Sequence, residues 1–206
     1  MKKLLMAMLA LALMAGCSSE PSRPVPTGKP QPKGPELVTG RVAFQKLYIA
    51  ARGWARDAQP YRLESLLTAD SKGKDGKSAV WQAFFASAIQ RGVKPYIWSG
   101  SEAPGAPSRG ISPGAEDNYN PSNSSTQVFD AAFLKVDSDK ALEVAQKHGG
   151  DKLLAKDPDA PILYVLDWSR PTSELIWHVI YGNSRDEAKL TVSVNASTGE
   201  FIRVEK

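Results

Sequence analysis

Apolar and polar positions along this chain alternate at two different periods. In "TGRVAFQKLYIAARGWARDA" (39–58), Val42, Leu47, Ala50, Ala51 and Trp54 recur near a 3.6-residue period. That spacing predicts a helix, with Thr39 placed to cap its start. "DSDKALEVAQKHGG" (137–150) sets Ala141, Leu142 and Ala145 on one helical face, offers Asp137 or Ser138 as N-cap, and closes on Gly149 and Gly150. "WQAFFAS" (81–87) and "WHVIYGN" (177–183) change face at every residue instead. Trp81, Ala83, Phe85 and Ser87 share one side, against Val80, Gln82 and Phe84; Trp177, Val179 and Tyr181 stand against Ile176, His178 and Ile180. Both sides carry large apolar groups. One side must pack under a helix; the other must be covered by the rest of the chain or left for a partner.

Trp177 follows Trp81 by 96 positions, and the same shift lays Tyr181 on Phe85, Asn183 on Ser87, Val192 on Tyr96 and Val194 on Trp98. Upstream of each run lies another strand-like stretch, "YRLESLL" (61–67) and "PILYVLDW" (161–168). Downstream, "TVSVNASTGEFIRV" (191–204) predicts a hairpin that turns at 195–199, where Gly199 suits a positive φ. Each half thus reads as a helix followed by three or four antiparallel strands. The expected fold is α+β, with two tandem helix-plus-antiparallel-sheet units at 37–100 and 128–206. Between them, 99–127 is dense in Gly, Pro, Ser and Asn. It reads as a flexible inter-unit loop (101–127), with a binding loop that uses Tyr119 as a contact as the alternative. Tyr96 and Trp98 are further candidate partner contacts, because the second half has valines there and aromatics often anchor interfaces. Plain core is the alternative for both.

A helix, then a strand carrying Trp-x-Val, then "VSVNASTGEFIRV" resembles the PepSY domain, in which a strand ending in Asp-Ala-x-Thr-Gly leads into the last strand. Asn195, Ala196, Ser197, Thr198 and Gly199 match that motif with Asn in place of Asp. The resemblance covers the 128–206 unit. The first unit has no Thr-Gly turn after Trp98 and reads as a diverged copy. PepSY-like modules occur in secreted and envelope proteins, where they bind or restrain partners such as peptidases. The resemblance therefore implies a non-catalytic module that works by protein contact, and it brings no catalytic residue or cofactor. Tandem units of this kind also look like secreted β-lactamase inhibitor proteins in topology, so an inhibitor-like protein that docks on a periplasmic or secreted enzyme is the alternative. A small-ligand carrier is a more distant one.

The start of the chain supplies an address. Lys2 and Lys3 precede a short apolar run (4–15), well under the roughly 20 apolar residues needed to cross a bilayer core. This is the secretory signal pattern. Met14-Ala15-Gly16-Cys17 resembles a bacterial lipobox. The resemblance implies a signal peptide at 1–16, cleavage before Cys17, and palmitate-type acylation that makes Cys17 the membrane anchor; two or more chains are what stable tethering requires. Ser18, where aspartate would imply inner-membrane retention, favours the outer membrane facing the periplasm if the cell has two membranes. Residues 17–36, rich in Pro, Ser, Lys and Gly, read as a disordered linker that holds the folded part off the lipid surface.

Charge then narrows the partners. The chain holds 26 Lys and Arg against 22 Asp and Glu; removing Lys2 and Lys3 with the leader leaves 24 against 22. A near-neutral surface without a basic stripe argues against nucleic acid. Cys17 is the single cysteine, so no thiol remains for redox or metal chemistry once it is acylated. His148 and His178 are the only histidines, and neither sits in a cluster with metal-ligand spacing. "SKGKDGKS" lacks the first glycine of a P-loop and reads as a turn at Asp75 and Gly76; "YGNSRD" has Asp186 where a nucleophile elbow needs glycine. Asp157, Asp159 and Asp167 have no spacing that marks a general acid and base. No catalytic, metal or cofactor-binding residue is therefore expected. An envelope protein is the expected partner.

Overall fold

The computed structural model describes residues 34–205. The signal peptide, Cys17, Ser18 and most of the 17–36 linker lie outside the described residues. In chain order the elements are β1 (Val38–Thr39), α1 (Gly40–Trp54), β2 (Gln59–Leu66), β3 (Lys77–Ser78), β4 (Val80–Ser87), β5 (Gly92–Ser99), β6 (Gly110–Pro113) and β7 (Asp117–Asn118), followed by α2 (Ser138–Ala145), α3 (Asp151–Lys156), β8 (Ile162–Ser169), β9 (Glu174–Tyr181), β10 (Leu190–Asn195) and β11 (Phe201–Glu205). The α+β expectation holds.

One antiparallel sheet of nine strands runs β11-β10-β9-β8-β2-β4-β5-β6, with β7 also on β5; β1 and β3 pair separately. Neighbours in sequence pair as hairpins, and the two sets meet at the centre, where Arg62 faces Asp167, Leu63 faces Leu166 and Glu64 faces Val165. The halves are therefore joined edge to edge and do not cover one another face to face. Each of β2 and β8 has a free strand edge, and each edge's backbone N–H and C=O groups find partners on the other. The stretch expected as a flexible loop also enters the sheet. Ile111 and Ser112 of β6 pair with Trp98 and Ile97, and β7 pairs with Val93 and Gly92.

Helix α1 buries Gly40, Ala43, Phe44, Leu47 and Ala51. This face is rotated from the expected one: Val42 lies 41% exposed and Trp54 is only partly buried. Small residues at 40, 43 and 51, with Phe44 and Leu47, give a flatter contact surface than the tryptophan face would. Thr39 occupies the N-cap position but makes no side-chain cap. The orphan N–H groups of α1 are taken from across the fold: Gly40 donates to Ser138 Oγ (2.8 Å) and Arg41 to Asp137 Oδ1 (2.9 Å). Asp137 caps α2 as expected, accepting from Ser138 N. The helical stretch does not end at Gly149 and Gly150. Gly149, at φ 118, opens one wide turn (Gln146–Gly150), and α3 follows directly.

Helices α1, α2 and α3 lie on one face of the sheet over a single core. Trp81 and Trp177, each fully buried, meet edge to face with ring centroids 6.4 Å apart. An indole N–H left unpaired there would cost about 1–3 kcal/mol. Trp81 Nε1 donates to Val38 O (3.0 Å) and Trp177 Nε1 to Val136 O (2.9 Å), each carbonyl standing two residues before the first residue of a helix. The 96-residue spacing persists in the register: Trp81 faces Trp98 and Ala83 faces Tyr96, while Trp177 faces Val194 and Val179 faces Val192.

Candidate functional site

Strand alternation decides what the other face of the sheet carries. Because Leu63, Leu166, Trp177 and Val192 turn toward the helices, their neighbours Arg62, Glu64, Asp167, His178 and Ser193 turn away. No helix covers this second face among the described residues. His178 sits opposite Ser193 on β10 and diagonal to Asp167 on β8; Glu205 reaches it from β11, one strand further out.

The His178 ring is held on both nitrogens. Nε2 lies 3.1 Å from Asp167 Oδ1, and Nδ1 lies 3.1 Å from Glu205 Oε1. Ser193 Oγ donates to the same Glu205 oxygen at 2.6 Å and stands farther, 3.4 Å, from Nδ1. Burial by itself would push the imidazole pKa down; the two carboxylate hydrogen bonds outweigh it and hold the pKa above its ordinary value. The bond to His178, reinforced by Ser193, takes Glu205 down to about 2. Burial works against ionisation of Asp167, but His178 and the nearby arginines keep its pKa below the ordinary range. Each ring nitrogen faces a carboxylate oxygen, an arrangement that favours the doubly protonated ring. A ring with both nitrogens donating has no lone pair to act as a general base, and the fully buried Ser193 hydroxyl points at a carboxylate. Among the described residues no group of three or more His, Cys, Asp or Glu side chains could hold a metal ion.

Two depressions flank this cluster. The first, about 570 Å³, is lined by His178, Asp167, Glu205, Arg203, Arg185 and Ile176 among others. The second, about 510 Å³, has an aliphatic floor of Leu66, Leu163, Val165 and Ile180, with Arg62 and Glu64 at its side. Arg185, in the loop between β9 and β10, lines both. The charges differ in how tightly they are held. Arg62 grips Glu64 through Nε and a terminal nitrogen, both at 2.7 Å. Arg203 lies 3.2 Å from Glu205, whereas Arg185 comes only to 3.8 Å from Asp167, beyond hydrogen-bonding distance.

The residues expected as partner contacts lie elsewhere. Tyr96 and Trp98 are 6% and 4% exposed and belong to the core under α1. Their positions opposite Ala83 and Trp81 fix them on the helix side, where Tyr96 meets Phe85 edge to face and Lys46 Nζ lies 4.7 Å over the Trp98 ring. Neither is available for surface contact. Tyr119 is half-buried beyond β7, at the opposite margin of the sheet from His178, with its N–H on Arg91 O. His148 stacks flat on Phe201 (3.7 Å). Asp157 and Asp159 pair with Lys189 and Lys72 and do not converge on Asp167. Asp75 and Gly76, both at positive φ, form the expected turn. The His178 cluster escaped the sequence reading because its members come from four strands. Its one local trace is a polar residue at an otherwise apolar strand position, as at Asp167, His178 and Ser193.

Among the described residues no helix is long and apolar enough to cross a membrane. No family model, no curated protein and no solved structure matches the chain.

Proposed function

We propose that this chain is a lipid-anchored protein of the bacterial cell envelope, tethered through Cys17, that acts by contact with another protein and not by catalysis. The single observation that carries the contact reading is the sheet face that no helix covers among the described residues, where partly exposed charges line one depression and Leu66, Leu163, Val165 and Ile180 line the next. A concave face of mixed charged and apolar lining suits a partner surface. His178, engaged on both nitrogens, supports a structural role over a catalytic one. The lipobox-like segment supports the lipid anchor, and Ser18 favours the outer membrane, facing the periplasm, if the cell has two membranes.

The fold is read here as two PepSY-like units joined at their first strands. Support comes from the pairing arithmetic. Adding 96 carries Trp81–Trp98 onto Trp177–Val194, and both indoles bond to the carbonyl two residues ahead of a helix. The likeness is incomplete, since only the second unit carries the Asn195–Gly199 turn.

The test is photo-crosslinking of the tagged, anchored protein in its native cell, with the crosslinker at Leu163 on the sheet face or at Ile49 on the outer side of α1. A specific protein captured from Leu163 and not from Ile49 supports the reading. Capture of no specific protein from Leu163 would sink it. For the anchor, Cys17→Ser should abolish palmitate labelling; unchanged labelling refutes the lipid assignment.

A further inference from the structure

We propose that the open edge of β11 is a self-association surface: two copies of this chain pair their β11 strands antiparallel about a two-fold axis at Val204, so that one sheet runs through both. This goes beyond the contact reading of the helix-free face and does not rest on it.

The backbone supplies the first argument. β11 ends the sheet, with β10 as its one neighbour among the described residues. Asn195 N donates to Glu200 O, which turns the backbone groups of Asn195 toward β11, and with them those of Ser193 and Thr191, two and four residues back. Arg203 and Glu205 stand opposite Ser193 and Thr191, so their N–H and C=O groups bond to β10. The N–H and C=O of Val204, between them, therefore point outward and form a template for another strand. The Val204 side chain, on the helix side opposite buried Val192, is 45% exposed. The far edge of the sheet is blunted instead. β7 has two residues and β6 four, one of them Pro113, which has no N–H to donate.

Charge fixes the occupant as a second copy. Arg203 and Glu205 lie two residues apart on the helix-free face. Pairing Val204 with itself sets Arg203 opposite Glu205 of the second copy, and Glu205 opposite its Arg203, with Cβ atoms about 4.5–5.5 Å apart. The Arg203 side chain is 55% exposed and holds its own Glu205 through Nη2 at 3.2 Å. The rest of its planar fork then reaches across the axis to the second carboxylate. Two cations and two carboxylates close into a square. Moving the axis one residue, to Arg203, sets the two guanidiniums against each other, so the charges admit the Val204 register and penalise that neighbour. The depression lined by His178, Asp167, Glu205 and Arg203 reaches the same edge at Val204, and the second copy closes its outer side.

Sedimentation velocity of the full chain in detergent, at about 1–500 μM, should show a monomer–dimer equilibrium with a Kd of about 10–100 μM, as suits an interface below standard size. Val204→Pro removes the outward N–H and no bond to β10, and Arg203→Glu sets like charges across the axis. Each should raise the Kd about tenfold or more while the circular dichroism spectrum stays native. In native cells, Val204→Cys should give a disulfide-linked dimer on mild oxidation, because the pairing brings the two Cα atoms to about 5.5 Å. Ile111→Cys, exposed on the far edge strand, should not. The unsubstituted chain, whose single cysteine is Cys17, is the control. A chain that stays monomeric to about 500 μM, or a dimer that Val204→Pro or Arg203→Glu leaves intact, would overturn the inference. So would crosslinking from Ile111→Cys equal to or stronger than that from Val204→Cys. A partner captured from Leu163 by a monomeric chain would leave the contact function standing without this edge, and a dimer with no captured partner would do the reverse.

Discussion

His178 Nδ1 lies 3.1 Å from Glu205 Oε1, so the carboxylate at the end of the last strand is fastened to the third strand in from the sheet edge. Ser193 on the strand between them adds its hydroxyl to the same oxygen. The C-terminal strand is thereby held by a buried charge as well as by its ladder with β10.

That fastening carries a pH signature. His178 titrates above its ordinary 6.5, so its contribution is complete below that value and is lost as pH rises through the higher folded value. Asp167 and Glu205 titrate below their ordinary 3.8 and 4.5, so their contribution is complete above those values and is lost as pH falls, for Glu205 toward about 2. The stability difference between the native chain and His178→Gln should peak between 4.5 and 6.5, at about 3 kcal/mol, and shrink on both sides. Urea unfolding across pH 3–9 measures it. A difference that does not change with pH would refute the charged cluster.

Gly40 and Gly53 are opposite cases on α1. A Cβ on Gly40 would lie 2.6 Å from Trp177 Cη2 and 3.2 Å from Trp81, whereas among the described residues nothing lies within 4 Å of one on Gly53. Gly40→Ala should therefore destabilise by about 1–3 kcal/mol through overpacking of the two indoles. Gly53→Ala should stabilise by about 0.5–1 kcal/mol through helix propensity. Denaturant midpoints with matching slopes decide both, and a neutral Gly40→Ala would mean the indoles have room to move apart.

Asp137 serves two helices at once. Its carboxylate accepts from Arg41 N of α1, Ser138 N of α2 and Thr39 Oγ1. Asp137→Ala should cost about 2 kcal/mol, the upper end for a single cap, and Thr39→Ala should add less in that background than alone. A double-mutant cycle by thermal unfolding measures the coupling. Strict additivity would show the shared carboxylate to be energetically silent.

Two buried tyrosines should respond in opposite directions to loss of the hydroxyl. Tyr164 OH donates to Gly73 O at 2.6 Å, while Tyr181 OH, buried against Gly150, has no hydrogen-bond partner among the described residues. Tyr164→Phe should destabilise by about 1 kcal/mol and Tyr181→Phe should be neutral or stabilising by a similar amount. Calorimetry of the two variants side by side distinguishes these outcomes. A Tyr181→Phe loss equal to that of Tyr164→Phe would place a bound water on the Tyr181 hydroxyl.

Local period was legible from the residues alone. Two-residue alternation set Trp81 with Ala83 and Phe85, and Trp177 with Val179 and Tyr181, on one side of their strands, and the structure keeps those groupings. The α2 cap at Asp137 was equally local. The helical face of α1 was not, because Val42 and Trp54 fit a 3.6 period as well as Phe44 and Leu47 do, and only the space above β4 and β5 chooses between them.

What the amino-acid order determined by itself was therefore which side chains travel together on one face of each strand. Which edges would meet was decided by the tertiary structure. Two half-sheets can stack or join, and the outcome depends on backbone groups of β2 and β8 about a hundred positions apart that leave no mark in the side-chain pattern. Joining at those edges left one face without helices, and the ladders from β8 to β11 then brought Asp167, His178, Ser193 and Glu205 to one point. Their charges interact because the strands lie side by side, a distance that spacing along the chain does not encode.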